Sequence, residues 1–243
     1  SAATSFTQQA IQQAEKLVLM PRFDAEQTLA LIEKHRIDVV YLVPIMYVRL
    51  LRLPAEVRAK SDISSVRFVA STGAPCAPDV KQGMLDWWGD VIFETYASSE
   101  TGMITLQDPQ SARRKPGSVG RPIGDTRIRI VGEDGKECGV GEPGVIYVRQ
   151  PMVPDFTYLN NEAARTKAGL DDLATVGDIG YLDAEGYLYV CDRQSDMVIS
   201  GGVNIYPAEI EHVLITMPGV RDCAVFGMPD AEYGESLMAV VAT

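Results

Sequence analysis

Runs of β-branched residues alternate with amphipathic helical stretches in the first half of this chain, and that alternation leaves few folds open to it. Ile37-Asp38-Val39-Val40-Tyr41-Leu42-Val43 stops at Pro44 and reads as a buried strand. Before it, residues 24–34 read as a helix. Asp24 is an N-cap candidate with Gln27 three residues on, and Leu29, Leu31 and Ile32 supply apolar faces. The pattern continues with a helix over 45–51, a strand over 66–70, a helix over 78–88 and a strand over 91–95. Strands separated by helices need crossover connections, hence a parallel sheet, whose ligands bind beyond the carboxyl ends of its strands. Two such ends carry small, hydroxyl-rich loops, Ser71-Thr72-Gly73-Ala74-Pro75 and Tyr96-Ala97-Ser98-Ser99-Glu100-Thr101-Gly102.

The texture changes near Gly117. Residues 126–131 alternate, Gly132-Glu133-Asp134-Gly135 turns, and 144–149 reads as another strand. Residues 181–183 and 187–192, joined by Ala184-Glu185-Gly186, read as a hairpin. This stretch is expected to be a β-rich subdomain, either barrel-like or a sheet. Beyond Arg193 the order is mixed again. Pro207 opens a helix with Glu209 and Glu211 behind it, and strands follow over 221–226 and 236–242. The last strand has no closing turn or polar tail, which leads us to expect a truncated polypeptide.

Composition narrows the possible partners. A formal net charge of −11 speaks against a nucleic-acid backbone or an anionic membrane. It leaves room for a phosphorylated small molecule, which backbone N–H groups, a metal and one arginine can hold. Cys76, Cys138, Cys191 and Cys223 show no C-x-x-C spacing and are expected as reduced, mostly buried thiols. His35 and His212 lie in helix-like stretches without metal-ligand spacing and read as helix surface. No apolar run approaches the about 18 residues of a membrane span, and no secretion signal is visible. The expectation is a soluble cytoplasmic protein.

Two stretches carry a resemblance. They are Gly177-Asp178-Ile179-Gly180-Tyr181-Leu182-Asp183 and the run from Asp192-Arg193-Gln194-Ser195-Asp196 through Gly201-Gly202 to Pro207-Ala208-Glu209-Ile210-Glu211. In this order, and together with the two hydroxyl-rich loops, they resemble the AMP-forming superfamily of acyl-CoA synthetases, adenylation domains and luciferases. The similarity extends over nearly the whole chain, from Leu19-Met20-Pro21-Arg22-Phe23-Asp24 onward.

The resemblance implies an α/β fold made of a parallel-sheet layer with flanking helices, the β-rich subdomain, and the start of a small α+β lid. Residues 1–192 would belong to the large ATP- and acid-binding domain (1–115 the α/β part, 116–192 the β-rich part), and 193–243 to the lid. It implies a two-step reaction. A carboxylic acid and ATP give an acyl-adenylate and pyrophosphate, and a thiol, usually that of coenzyme A, then displaces AMP. Aliphatic, aryl and bile-acid-like acids all stay open as substrates, and fatty-acid metabolism is one setting.

Residue by residue, the resemblance makes Glu100 the Mg²⁺ ligand and Ser99 a phosphate-binding hydroxyl where threonine is usual. Ala97 replaces the usual glycine, and Val176 stands where threonine is common. Gly73, Ala74 and Pro75 would lie against the adenine, with Tyr96 on its other face. Asp178 and Arg193 would hold the ribose, and a hairpin of this length can bring the two side by side. Ser195 falls at the hinge, where Asp or Lys is frequent. Gly201 and Gly202 would border the coenzyme A tunnel, with Tyr233 against coenzyme A.

Two family parts are not found among these residues. One is a Ser/Thr/Gly-rich phosphate loop ending in Pro-Lys-Gly. The other is a catalytic lysine near the end of the lid, and residues 193–243 contain no lysine. The polypeptide by itself is therefore expected not to form acyl-adenylate at a useful rate. Alternatives are an adenylating enzyme that loads a carrier-protein thiol, or a non-catalytic nucleotide-binding module.

Overall fold

Asp24 starts a helix as its sequence suggests. Its extended backbone turns the carboxylate back to accept the Gln27 N–H at 2.8 Å, and the helix Ala25–His35 closes on Arg36 at φ 50°. This is α2. The helix before it, α1 (Ala2–Gln12), has no counterpart among the expected elements, and it lacks an acidic first turn or a basic last turn to announce it. The computed structural model describes residues 2–243. It separates into two units, one of residues up to 99 with 105–120, the other of 100–104 with 121–243.

In the first unit β1 (Val39–Leu42), β2 (Phe68–Ser71) and β3 (Ile92–Glu94) form a parallel sheet in the order β1-β2-β3. Tyr41 pairs with Ala70, and Ala70 with Phe93. The connections are helical. They include α3 (Pro44–Leu51), α4 (Ala55–Lys60) and α5 (Pro78–Trp88), and prolines open α3 and α5, where a missing N–H costs nothing. Tyr47, Leu50, Met84 and Leu85 fill the space between α3, α5 and the sheet and are at most 1% exposed. A short α6 (Pro109–Arg114) is capped by Asp108, whose carboxylate accepts the Ser111 N–H at 2.9 Å. The strand expected to be buried is less so than its residues suggest. Only Leu42 is enclosed and Val39 is 49% exposed, because among the described residues β1 is an edge strand with β2 as its one neighbour.

In the second unit β4 (Arg127–Val131) lies antiparallel to β5 (Gly144–Arg149) along one edge. The other edge of β5 is shared. Its end meets β7 (Leu173–Ala174), which pairs with β6 (Gly169–Leu170), and its start meets β8 (Asp178–Leu182). The short α7 (Glu162–Lys167) precedes β6. The expected hairpin is present as β8 and β9 (Leu188–Arg193), running from Leu182↔Leu188 to Asp178↔Arg193. A bulge lies between Ile179 and Gly180, and a Cβ on Gly180 would stand 2.2 Å from the Tyr189 carbonyl oxygen. The sheet stays open, so of the two expected forms the barrel is not realised.

Residues 198–242 form a second antiparallel sheet from β10 (Val198–Ser200), β11 (Val203–Ile205), β12 (Asp222–Asp230) and β13 (Gly234–Ala242), in the order β11-β10-β13-β12. The helix α8 (Pro207–Leu214) packs on β12. All four cysteines are free thiols, but only Cys76 is fully buried. Among the described residues no helix is long and apolar enough to cross a membrane.

Candidate functional site

Neighbouring parallel strands β2 and β3 send their chains out at the same sheet end, so the loops after Ser71 and Glu94 emerge there. Gly73 lies exposed in the first loop at φ +96°. An added Cβ would come no closer than 3.5 Å to Val43, so it is the backbone angle that calls for glycine here. Ala74 is exposed beside it and Pro75 half-buried. Tyr96 is half-buried in the second loop. Its carbonyl accepts the Thr105 N–H at 3.2 Å, and its own N–H points at the Thr105 hydroxyl at 3.4 Å. That hydroxyl donates to the Val119 carbonyl at 2.6 Å, so a buried threonine holds the Tyr96 backbone. Ser99 is exposed.

Glu100 belongs to the second unit. It is half-buried, and the Tyr158 hydroxyl donates to its Oε1 at 3.3 Å. Burial, and next the Glu100 charge, push the Tyr158 hydroxyl above its ordinary value. Arg149, Gln150, Asp155 and Arg165 line the same cleft, and Arg165 donates to the Asp155 carboxylate at 2.8 Å and the Phe156 carbonyl at 3.0 Å. Among the described residues no three His, Cys, Asp or Glu side chains form a metal cluster. One carboxylate in a polar cleft fits a magnesium ion that takes its other ligands from water and nucleotide phosphates, and would not suit a metal caged by protein alone.

Asp178 and Arg193 come together as the hairpin spacing suggests. They are cross-strand partners, with Arg193 Nε 3.7 Å from Asp178 Oδ1. The Asp178 side chain is 13% exposed and that of Arg193 is 72% exposed. The Gln194 N–H closes the hairpin end on the Gly177 carbonyl at 2.7 Å. Asp192, next in line, accepts its neighbour's N–H at 2.8 Å through one oxygen and the Ala208 N–H at 3.0 Å through the other, which ties β9 to the first turn of α8. Ser195 is exposed, and its hydroxyl donates to Asp196 at 2.8 Å.

Gly201 and Gly202 link the paired residues Ser200 and Val203, at φ +57° and +83°. Positive φ at both positions is the two-residue hairpin turn that glycine favours, so the turn alone accounts for the pair. Tyr233 lies beside it, 53% exposed, and its carbonyl accepts the Gly201 N–H at 2.9 Å.

Within the first unit, then, Gly73, Ala74, Pro75 and Tyr96 sit on adjacent strand ends. Within the second, Asp178 meets Arg193, and Gly201 meets Tyr233. Three side chains not expected from the sequence stand behind these groups: Tyr158 on Glu100, and the buried pair Lys81 and Glu94. Lys81 had a legible signal. It shares the spacing of Met84, Leu85 and Trp88, so a charge falls on the apolar stripe of α5. Tyr158, in an irregular stretch, had none.

Comparison with known proteins agrees along the chain. The model for the AMP-binding enzyme matches residues 4–154, and that for the AMP-binding enzyme C-terminal domain matches 209–243. An indoleacetate–CoA ligase of Aromatoleum aromaticum is 38% identical over 97% of this chain and 46% of its own length. The o-succinylbenzoate CoA synthetase of Bacillus subtilis, solved with its acyl-adenylate intermediate, superimposes with a TM-score of 0.83. It is 32% identical over 98% of this chain and 48% of its own. The amide bond synthetase McbA of Marinactinospora thermotolerans gives a TM-score of 0.81 at 31% identity, over 92% of this chain and 46% of its own. This chain spans about half the length of the curated relatives it matches. With motifs, fold and both family models in agreement, the chain belongs to the AMP-binding enzymes, the adenylate-forming superfamily of the acyl-CoA synthetases.

Proposed function

We propose that this chain supplies the adenosine-recognising part and the first part of the lid of an ATP-dependent carboxylic acid:CoA ligase. The observation that carries the proposal is the Asp178–Arg193 pair, a fixed carboxylate with an open guanidinium at the mouth of one hairpin. A carboxylate can accept from both hydroxyls of a ribose. Strand pairing and the bulge at Gly180 already hold it in place, so little ordering remains to be paid on binding.

In the first unit, the Gly73-Ala74-Pro75 backbone lies against one face of the adenine and Tyr96 against the other. Ser99 donates to a phosphate oxygen. Glu100, steadied by Tyr158, holds magnesium, which when bound neutralises charge on the phosphates. In the first step an oxygen of the acid bonds to the α-phosphorus and the bond to pyrophosphate breaks. In the second the thiol sulfur bonds to the acyl carbon and AMP leaves. Gly201, Gly202 and Tyr233 border the thiol arm of coenzyme A, and Ser195 absorbs the backbone change as the lid turns.

Residues 1–192 are then part of the large domain and 193–243 the start of the lid. A cytoplasmic setting belongs to the same proposal and agrees with four free thiols. Asp178→Ala is expected to weaken AMP binding by roughly 1.5–3 kcal/mol, the worth of hydrogen bonds to a charged group. Calorimetric titration measures this, and an unchanged affinity removes the ribose assignment.

A further inference from the structure

Lys81 and Glu94 form an ion pair whose side chains are only 4% and 3% exposed. The Lys81 ammonium also donates to Gln107 Oε1 at 2.7 Å and to the Ser118 carbonyl at 3.0 Å. Gln107 in turn donates from its side chain to the Lys115 carbonyl at 3.1 Å. Its backbone exchanges both hydrogen bonds with Glu94, at 3.0 and 2.8 Å. In the sheet Glu94 is also the strand partner of Ser71, and the Thr95 N–H donates to the Ser71 carbonyl at 2.9 Å. Burial pushes the Glu94 carboxyl up, and Lys81 opposes that.

The placement of these contacts is informative. Ser71 opens the loop 71–75. Glu94 ends β3, two residues before Tyr96, and Gln107 and Ser118 lie in the return that backs Tyr96 through Thr105 and Val119. One enclosed charge pair therefore grips the base of both loops that emerge beyond β2 and β3. A buried ion pair adds little net stability, since apolar residues of similar volume often replace one at no loss. Its directed bonds do fix positions.

We propose that Lys81 and Glu94 are positioning residues for the nucleotide, setting the width of the slot between the Gly73–Pro75 backbone and Tyr96. The inference rests on the reading of those two loops as the adenine site. Neither side chain touches the ligand. Both act through backbone, Glu94 through its own strand and the paired Ser71, Lys81 through Glu94, Gln107 and Ser118.

The test compares AMP with ribose 5-phosphate, which keeps the sugar and a phosphate and lacks the base. Both are titrated into the full chain, with the thermal midpoint recorded. In the double variant Lys81→Met/Glu94→Met the midpoint is expected to stay near that of the unaltered chain. AMP affinity should fall about five- to tenfold, part of what base–aromatic stacking is worth, with ribose 5-phosphate unaffected. Unchanged AMP affinity, or an equal loss for both ligands, overturns the proposal. If the double variant does not fold, Glu94→Gln carries the same comparison: a selective loss of AMP supports the inference, and wild-type behaviour or an equal loss overturns it. Asp178→Ala separates this inference from the reading beneath it. Loss of both ligands in Asp178→Ala, with the pair variants normal, sinks the positioning role alone. Unchanged binding of both in Asp178→Ala sinks the nucleotide site itself.

Discussion

Two ion pairs in this molecule share their chemistry and differ in almost everything else. Lys81–Glu94 is enclosed on all sides, and its remaining bonds go to other protein groups. Arg193–Asp178 is open. Its atoms are 3.7 Å apart, the guanidinium is mostly in solvent, and the carboxylate is held in place by strand pairing. The first pair is shut away from solvent and presents no open face to a ligand. The second is a loose contact whose guanidinium faces solvent, and it is the pair proposed to meet the ribose. Burial, more than charge, separates the proposed foundation from the proposed binding site.

The largest effect should come from breaking the enclosed pair on one side. Lys81→Met leaves the Glu94 carboxylate buried without its cation, and a loss of about 3–5 kcal/mol in urea unfolding is expected. A loss below about 1 kcal/mol would place this pair in the same class as the exposed one. For the open pair, Arg193→Ala should change stability by less than about 1 kcal/mol while still weakening AMP binding. Equal damage to folding and to binding would erase the distinction.

The smallest effect concerns acid. Arg165 beside Asp155, helped by the Phe156 N–H, holds the Asp155 carboxyl below the ordinary carboxylate range. A depressed folded pKa gives stability that is complete above the unfolded value and is lost as the pH falls through the folded value. The cleft beside Glu100 is therefore fully braced at neutral pH and loosens below about pH 4. Asp155→Asn should flatten the acid limb of the stability–pH curve slightly, and an unchanged limb would show that the contact contributes nothing.

The sequence was most legible where the signals are local. Asp24 with Gln27, Pro78 at the start of α5 and the alternation over 126–131 each encode their element within a few residues, and the element bounds follow to within a residue. The Asp178–Arg193 meeting was legible for the same reason, because a hairpin converts sequence spacing into distance. The pairing of Lys81 with Glu94 depends on how α5 lies against β3, which no local pattern encodes. The exposure of Val39 likewise depends on strand order rather than on its own residues. A different lesson attaches to Gly201-Gly202. Flanked by Val198-Ile199-Ser200 and Val203-Asn204-Ile205, it is a plain hairpin signal, and that geometry explains the glycines before any ligand is invoked.

The central claim is that the Asp178 carboxylate, set in its hairpin, reads the two hydroxyls of a nucleotide's ribose. Titrating this chain and its Asp178→Ala variant with AMP and with 2′,3′-dideoxy-AMP tests it most directly. The account predicts that the unaltered chain prefers AMP at least about tenfold, a preference worth one hydrogen bond to a charged group, and that Asp178→Ala binds both ligands alike. A preference for AMP that survives intact in Asp178→Ala would contradict it.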